Sequence, residues 1–351
     1  MKKIRIGAVN WDASLPPDTY FGFYQINSLS QSKYRGWTPY YAELLDGESI
    51  TYRRRTPEEY ECEMQYALDA GIDYFAYVWY PTEGSLAHEP TSFRDCSHKV
   101  HELNYARGLY EKSRLKERLN MCAILAAHPF TDNDLARLVE AFSKPYYEKI
   151  EARPLLYVYN GYREDVIKKI HQMCRERKIP TPYTVPMVPK FEGQCFALAD
   201  ALSSYGVVNR VNIASHEELI GLAIEQSRGR MAPMLKLIPT FTTGWNPAPR
   251  VERPTPWMSK AEGVSSYREA TCAPRASCEE LLEGAVRFAD FIRTEVREHF
   301  VGHILTFAWN EFEEGGYICP TYDKDGKIDR TRVDVFSKIS AMFRKTLGED
   351  C

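Results

Sequence analysis

Apolar, β-rich runs recur along this chain at intervals that leave room for a helix between neighbours, and that alternation restricts the fold more than any other feature. The runs are IRIGAVN (Ile4 to Asn10), DYFAYVWY (Asp73 to Tyr80), MCAILAAH (Met121 to His128), PLLYVYN (Pro154 to Asn160), PYTVPMV (Pro182 to Val188), DALSSYG (Asp200 to Gly206), LKLIPTF (Leu235 to Phe241) and HILTFAWN (His303 to Asn310). Helical patterns lie between them. TPEEYECEMQYALDAG opens with Thr56 as N-cap, Pro57 in the first turn and Glu58 and Glu59 at the positive end of the helix dipole, and it stops at Gly71. TDNDLARLVEAF, REDVIKKIHQMCRER, SHEELIGLAIEQ and SCEELLEGAVRFADFIRTEVREHF repeat that grammar. Strands apolar on both faces, each followed by an amphipathic helix, argue for a parallel sheet covered on both sides. Eight such units in 351 residues predict an α/β fold, a (β/α)8 TIM barrel rather than an open doubly wound sheet. No linker or repeat interrupts the pattern, so residues 1–351 read as a single domain. Its long loops follow strand 1 (Trp11 to Arg55) and strand 7 (Thr242 to Cys278), leaving the strand ends where barrel enzymes build their sites.

Several function classes drop out on composition. A net charge of −3 gives no electrostatic case for binding nucleic acid or an anionic membrane. No run approaches the roughly 20 apolar residues of a membrane span, and Ile4 to Val9, interrupted by Arg5, is too short for the apolar core of a signal peptide. The nine cysteines contain no C-x-x-C pair, and free thiols suit a reducing compartment. The chain therefore reads as cytoplasmic, or as periplasmic or secreted if a leader has been removed. No G-x-G-x-x-G or P-loop follows an early strand, and no His and carboxylate cluster has metal-ligand spacing, so neither a cofactor nor a metal is expected. DKDGKID (Asp323 to Asp329) has the look of a calcium loop but lacks the closing Glu, and reads as a surface turn.

The chemistry concentrates in ILTFAWNEFEEGGYICPT, where Glu311, Glu313 and Glu314 follow directly on strand 8. Carboxyl pairs at a barrel mouth suit glycoside cleavage, because a glycosidic oxygen leaves readily only when protonated. One carboxyl must then stay protonated near neutral pH while another stays ionised. Three residues span at most about 10 Å, so the carboxyls of Glu311 and Glu314 can take either the retaining or the inverting separation. Glu313 is the rival: if the strand continues, its alternation with Glu311 would aim both at one face. Further candidates for sugar binding end the other strands. They are Trp11 and Asp12 after strand 1, Trp79 and Tyr80 after strand 2, His128 after strand 3, Tyr159 and Asn160 with Tyr162 after strand 4, Trp245, Asn246 and Arg250 after strand 7, and Asn310 on strand 8. A chain with 23 Tyr and 6 Trp has aromatic faces to spare for stacking on flat, hydroxylated ligands.

At these residues the sequence resembles the glycoside hydrolase family 99-like (β/α)8 barrels, a group that includes endo-α-mannosidases and related proteins of bacterial polysaccharide gene clusters. AWNEFEEGGYICPT resembles the family's N-E-x-x-E-G signature, and TTGWNPAPR its G-[WY]-[DN]-x-x-x-R loop after strand 7. AGIDYFAYVWYP and RPLLYVYNGY are similar to its second and fourth strands. The chain departs from the pattern at Phe312, where the family usually has Trp, and at Asn160 and Asn246, which are often Asp, as in a divergent branch. The resemblance implies Glu314 as general acid/base and Glu311 as its partner, a base that takes the proton of the sugar's own 2-hydroxyl. That oxygen would close a 1,2-anhydro sugar, which water opens with net retention. The implied substrate is an oligosaccharide or polysaccharide bearing an α-linked, mannose-configured sugar. Two alternatives stand beside a retaining glycosidase. A glycosyltransferase of polysaccharide biosynthesis would need a donor site, and no D-x-D motif is present. A non-catalytic carbohydrate-binding barrel is at odds with the retention of both Glu311 and Glu314.

Overall fold

A computed structural model of the chain describes residues 3–45, 49–82, 97–207, 213–256 and 273–348. All eight expected strands are present: β1 (Arg5–Asn10), β2 (Tyr74–Trp79), β3 (Asn120–Leu125), β4 (Arg153–Tyr159), β5 (Tyr183–Met187), β6 (Ala201–Leu202), β7 (Thr240–Thr242) and β8 (His303–Phe307). β1 runs parallel to both β2 and β8, with Ala8 opposite Phe75 on one side and Thr306 on the other. The first and last strands of the barrel are therefore neighbours. Parallel pairing continues β2 to β3 to β4 to β5, and a bridge from Met187 to Ser203 carries it to β6. The seventh strand is broken at Pro239, which has no N–H for a ladder. Lys236–Leu237 pairs with β6, and β7, beyond the proline, pairs with β8. The ring closes through that break.

Among the described residues the α-helices are α1 (Tyr20–Leu29), α2 (Pro57–Asp69), α3 (Tyr105–Lys112), α4 (Asp132–Phe142), α5 (Glu164–Glu176), α6 (His216–Arg228), α7 (Ala248–Glu252), α8 (Cys278–Phe291) and α9 (Thr331–Gly348). Thr56, Thr131 and Ser277 close capping boxes on α2, α4 and α8, each reciprocated by an acidic residue at the third helical position. One connection departs from the expected repeat: the segment from β5 to β6 holds no helix. It is short, and Pro189 and Gly193, the latter at φ 79°, stop one from forming. The loop after β1 is occupied by α1, a 3-10 turn (Ser32–Trp37) and a two-stranded hairpin. Asp323 to Asp329 is the surface turn its sequence suggests: Asp323 Oδ1 accepts from the backbone N–H groups of Asp325 and Lys327, both at 2.8 Å.

Side chains alternate across each strand. On β2, Tyr74 points into the barrel, where its hydroxyl lies 3.0 Å from that of Tyr157 on β4. Gly7 makes room for this ring, since a Cβ there would fall 2.1 Å from it. Phe75, Tyr77 and Trp79 point outward under the helices, Tyr77 meeting Tyr60 of α2 at 2.5 Å between hydroxyls. The N-terminal end of the barrel is closed by charge. Glu148, just before β4, accepts from Arg5 Nε at 2.9 Å, His303 Nε2 at 3.0 Å and Asn120 Nδ2 at 2.8 Å. Burial alone would raise its pKa, but the hydrogen bonds from His303 and Arg5 and the Arg5 charge reverse that and hold it down at about 2.

Candidate active site

Beyond β8 the chain does not continue as a strand of the barrel. Asn310–Glu311 turns back to pair antiparallel with Gly316–Tyr317, and Phe312–Glu314 forms a single 3-10 turn between them. Gly315 closes the turn at φ 68°, a left-handed conformation in which an L side chain is strained. Residues three apart eclipse on a 3-10 turn, so Glu311 and Glu314 share one side and Glu313 is directed elsewhere. Alternation would have paired Glu311 with Glu313, but the turn replaces the strand on which that alternation depends and turns Glu311 and Glu314 to the same cavity.

The side shared by Glu311 and Glu314 faces a cavity of about 560 Å³ at the C-terminal mouth of the barrel. Of the residues expected there, Trp11, Tyr80, His128, Tyr159, Asn160 and Arg250 line it together with the two glutamates. Trp11 Nε1 donates to the Tyr80 hydroxyl at 2.8 Å, and the Tyr80 ring lies 5.3 Å from that of His128. Asn160 follows β4 at φ 55°, a left-handed backbone that Asn tolerates better than most residues, and so bends the chain at the rim. Arg250 comes from α7 in the loop after β7. That loop is fastened to the glutamate turn by a hydrogen bond from the Asn246 N–H to the Glu314 carbonyl at 2.6 Å.

Arg250 pairs directly with Glu314 through Nη1, lies 3.2 Å from Glu313 and 3.7 Å from Glu311 through Nη2, and sits over the Trp11 ring. Glu311 also accepts a hydrogen bond from the Tyr205 hydroxyl at 2.6 Å. Burial first and the neighbouring Glu314 second push the Glu311 carboxyl up to about 8. Glu314 is also raised by burial, against the pull of Arg250. One arginine among three carboxyls, two of them buried, does not offset the burial and mutual repulsion that favour the protonated forms of Glu311 and Glu314, an effect that belongs to the pair rather than to either residue.

Six expected site residues lie elsewhere. Trp79 alternates with Val78 and Tyr80, which face the cavity, so its ring points out of the barrel and carries the Arg107 guanidinium 3.7 Å from its centre. Asp12 is buried in an ion pair with Arg55, which also grips Glu63. Asn310 accepts from the Trp11 N–H at 3.0 Å and donates to Asn10 at 3.2 Å, joining β1 to the glutamate turn. Asn246 accepts from the Ala248 N–H at 3.1 Å and donates to the Ala273 carbonyl at 3.0 Å, shaping the turn into α7. Trp245 is buried against Phe307. Tyr162, on the far side of Asn160, accepts from the Leu198 N–H at 3.2 Å and is also outside the lining.

The structure adds Tyr205, Phe21, Val100 and Leu103 to the cavity wall. Tyr205 stacks on Tyr159 with ring centres 4.6 Å apart. Its signal in the sequence is its place at the end of the sixth apolar run, equivalent to that of Tyr159 on the fourth. Among the described residues, no group of three or more His, Cys, Asp or Glu is placed to hold a metal ion, and no helix is long and apolar enough to cross a membrane.

No family model matches the chain, and no curated protein matches it. Solved structures do. A structure of the GH99 endo-α-mannosidase from Bacteroides thetaiotaomicron aligns over 98% of this chain and 98% of its own, with a TM-score of 0.60 at 12% identity. A second, in complex with bis-tris-propane, aligns over 99% of both chains with a TM-score of 0.54, also at 12% identity. At that identity the likeness is one of fold: the chain is an α/β protein of the TIM-barrel class, built like these glycoside hydrolases along its whole length.

Proposed function

We propose that this protein is a glycoside hydrolase that cleaves an α-linked, mannose-configured sugar within an oligosaccharide or polysaccharide. The observation that carries the reading is the carboxyl pair of Glu311 and Glu314 on one side of a tight turn, facing an aromatic-walled cavity, with Glu311 raised to about 8. Such a pair holds one proton for the leaving oxygen and one anion for activation at the anomeric centre. The fold likeness to an endo-α-mannosidase supports the choice of substrate. Trp11, Tyr80 and Tyr159 offer flat faces and hydroxyls to a pyranose, and Arg250 and Tyr205 hold the carboxyls in place. Following the resemblance at N-E-x-x-E-G, Glu314 protonates the leaving oxygen. Glu311 takes the 2-hydroxyl proton, and the 1,2-anhydro sugar is then opened by water with retention.

One observation favours the opposite distribution of roles in the unliganded site: Arg250 pairs with Glu314 and favours its ionised form, whereas Glu311 is met by a neutral phenol. A single experiment separates the two. Glu314→Gln and Glu311→Gln are compared on a natural α-mannan oligosaccharide and on an aryl α-mannoside whose leaving group needs no proton. The variant that keeps the aryl substrate while losing the oligosaccharide has lost the general acid. Loss of both substrates by both variants, or of neither, removes the acid assignment. A 2-fluoro glycoside tests the partner: a covalent adduct on Glu311, seen as one glycosyl mass on the intact protein, would replace the anhydro-sugar route by an ordinary carboxylate nucleophile.

A further inference from the structure

Glu313 is the most deeply buried of the three glutamates, 1% exposed, and is absent from the cavity wall. Its carboxylate is gripped on one side by the Ser28 hydroxyl of α1 and on the other by Arg250 Nη2 at 3.2 Å. The same guanidinium reaches Glu314 through Nη1, while Glu311 stands off at 3.7 Å. Arg253, three residues along from Arg250, donates to the Asn27 and Ser30 carbonyls at the end of α1, both at 2.9 Å. The loops after β1, β7 and β8 therefore converge on Arg250, and Glu313 joins all three.

We propose that Glu313, anchored by Ser28, is a positioning residue that holds the Arg250 guanidinium against Glu314 and away from Glu311. Glu313 takes the Nη2 donor that would otherwise turn to the nearest remaining carboxylate, Glu311. Its charge also faces Glu311 and Glu314 across the turn and adds to the forces that favour their protonated forms. The ionisable groups around this cluster are Glu311, Glu314 and Arg250, with Tyr205 against Glu311 and Tyr52 near Glu313; burial and then the Glu313 charge raise the Tyr52 phenol. With a neutral residue at 313, Glu311 would lose an anion and gain a cation, and both changes lower the pH at which it gives up its proton.

For its catalytic meaning the proposal rests on Glu311 and Glu314 being the reacting pair, but the test does not depend on turnover. The carboxyl carbons of glutamate are labelled with 13C in the full chain, the Glu311 signal is assigned by its loss in Glu311→Gln, and its titration is followed by NMR in wild type, Glu313→Gln and Ser28→Ala. We expect the Glu311 midpoint to fall by about one pH unit or more in Glu313→Gln, and by less in Ser28→Ala, where Glu313 keeps its charge but loses its anchor. A midpoint that stays in place or rises in the folded Glu313→Gln overturns the proposal. Should that variant not fold, an unmoved midpoint in Ser28→Ala overturns it instead. A residue that merely supported the fold would change the thermal midpoint and leave the titration alone. Failure to cleave any glycan would defeat the glycosidase reading without touching this result.

Discussion

Glu148 and Glu311 are the same side chain, both almost fully buried, at opposite ends of one barrel, yet their surroundings drive them in opposite directions. Glu148 sits at the N-terminal ends of the strands, where Arg5, His303 and Asn120 all donate to it and its pKa is held at about 2. Glu311 sits at the C-terminal mouth, where it shares a single arginine with two other carboxylates and is raised to about 8. Burial acts on both with the same sign. What differs is the ratio of donors to carboxylates. A carboxylate given more donors than it needs becomes a clamp, and one given fewer becomes a proton store. In barrels of this class the N-terminal end serves stability and the C-terminal end chemistry, and here the charge balance around two glutamates follows that division.

The largest effect that would break this comparison is on turnover. Glu314→Gln or Glu311→Gln is expected to slow cleavage of a natural glycan by about 10²–10⁴-fold while the protein still folds cooperatively. Steady-state rates and a melting curve on the same sample check it; a collapse of stability would make Glu311 a clamp after all.

At the other end, Glu148→Gln should leave turnover intact and cost about 1.5–3 kcal/mol of stability, because Arg5 and His303 then lose a charged acceptor, although Arg5 keeps Asp73 at 3.1 Å. Chemical denaturation checks this. Trp79→Ala belongs with it. As an outward-facing ring under Arg107 it should cost about 3–5 kcal/mol without altering the half-saturation concentration for glycan.

The two carboxyls also predict opposite pH dependence. Glu148, with a depressed pKa, contributes about 3 kcal/mol that is present above pH 4.5 and lost as pH falls through about 2. Glu311, with a raised pKa, contributes stability that is present below pH 4.5 and lost as pH rises through about 8. The difference in thermal midpoint between Glu311→Gln and wild type should therefore widen in favour of the variant from pH 5 to pH 9, and a constant difference would show that Glu311 is not raised. The smallest effect is at the cavity wall. Tyr80→Phe removes the acceptor of the Trp11 N–H and should weaken glycan binding by about 1 kcal/mol, measured by calorimetry with a mannan oligosaccharide.

The barrel is legible in the sequence because each strand is buried on both faces, so its apolar run announces it without reference to any partner. What local pattern does not reveal is how the ring closes. β6 and β7 are shorter than their apolar runs because the break at Pro239 divides the pairing between two neighbours. At the site, strand ends mark the right level but not the direction. Trp79 and Tyr80 are adjacent, and alternation sends only one of them into the cavity. Partners distant in sequence leave no local trace: Tyr205 reaches Glu311 across 106 positions, and Ser28 reaches Glu313 across 285. Glu314 is brought beside Glu311 by a 3-10 turn that the strand pattern does not foretell.

The pairing of β1 with β8 has a consequence for how activity arises over time. A nascent chain emerging from the ribosome completes β1 long before β8 exists, so β1 has its β2 edge paired while the other edge waits for the last strand. Ser28 and Glu313, like β1 and β8, are brought together only by this final, long-range step, and contacts so far apart in sequence form late. A chain halted short of β8 thus holds most of its core but no carboxyl pair. On dilution from denaturant, tryptophan burial should recover ahead of glycan cleavage, which makes turnover a reporter of ring closure rather than of collapse.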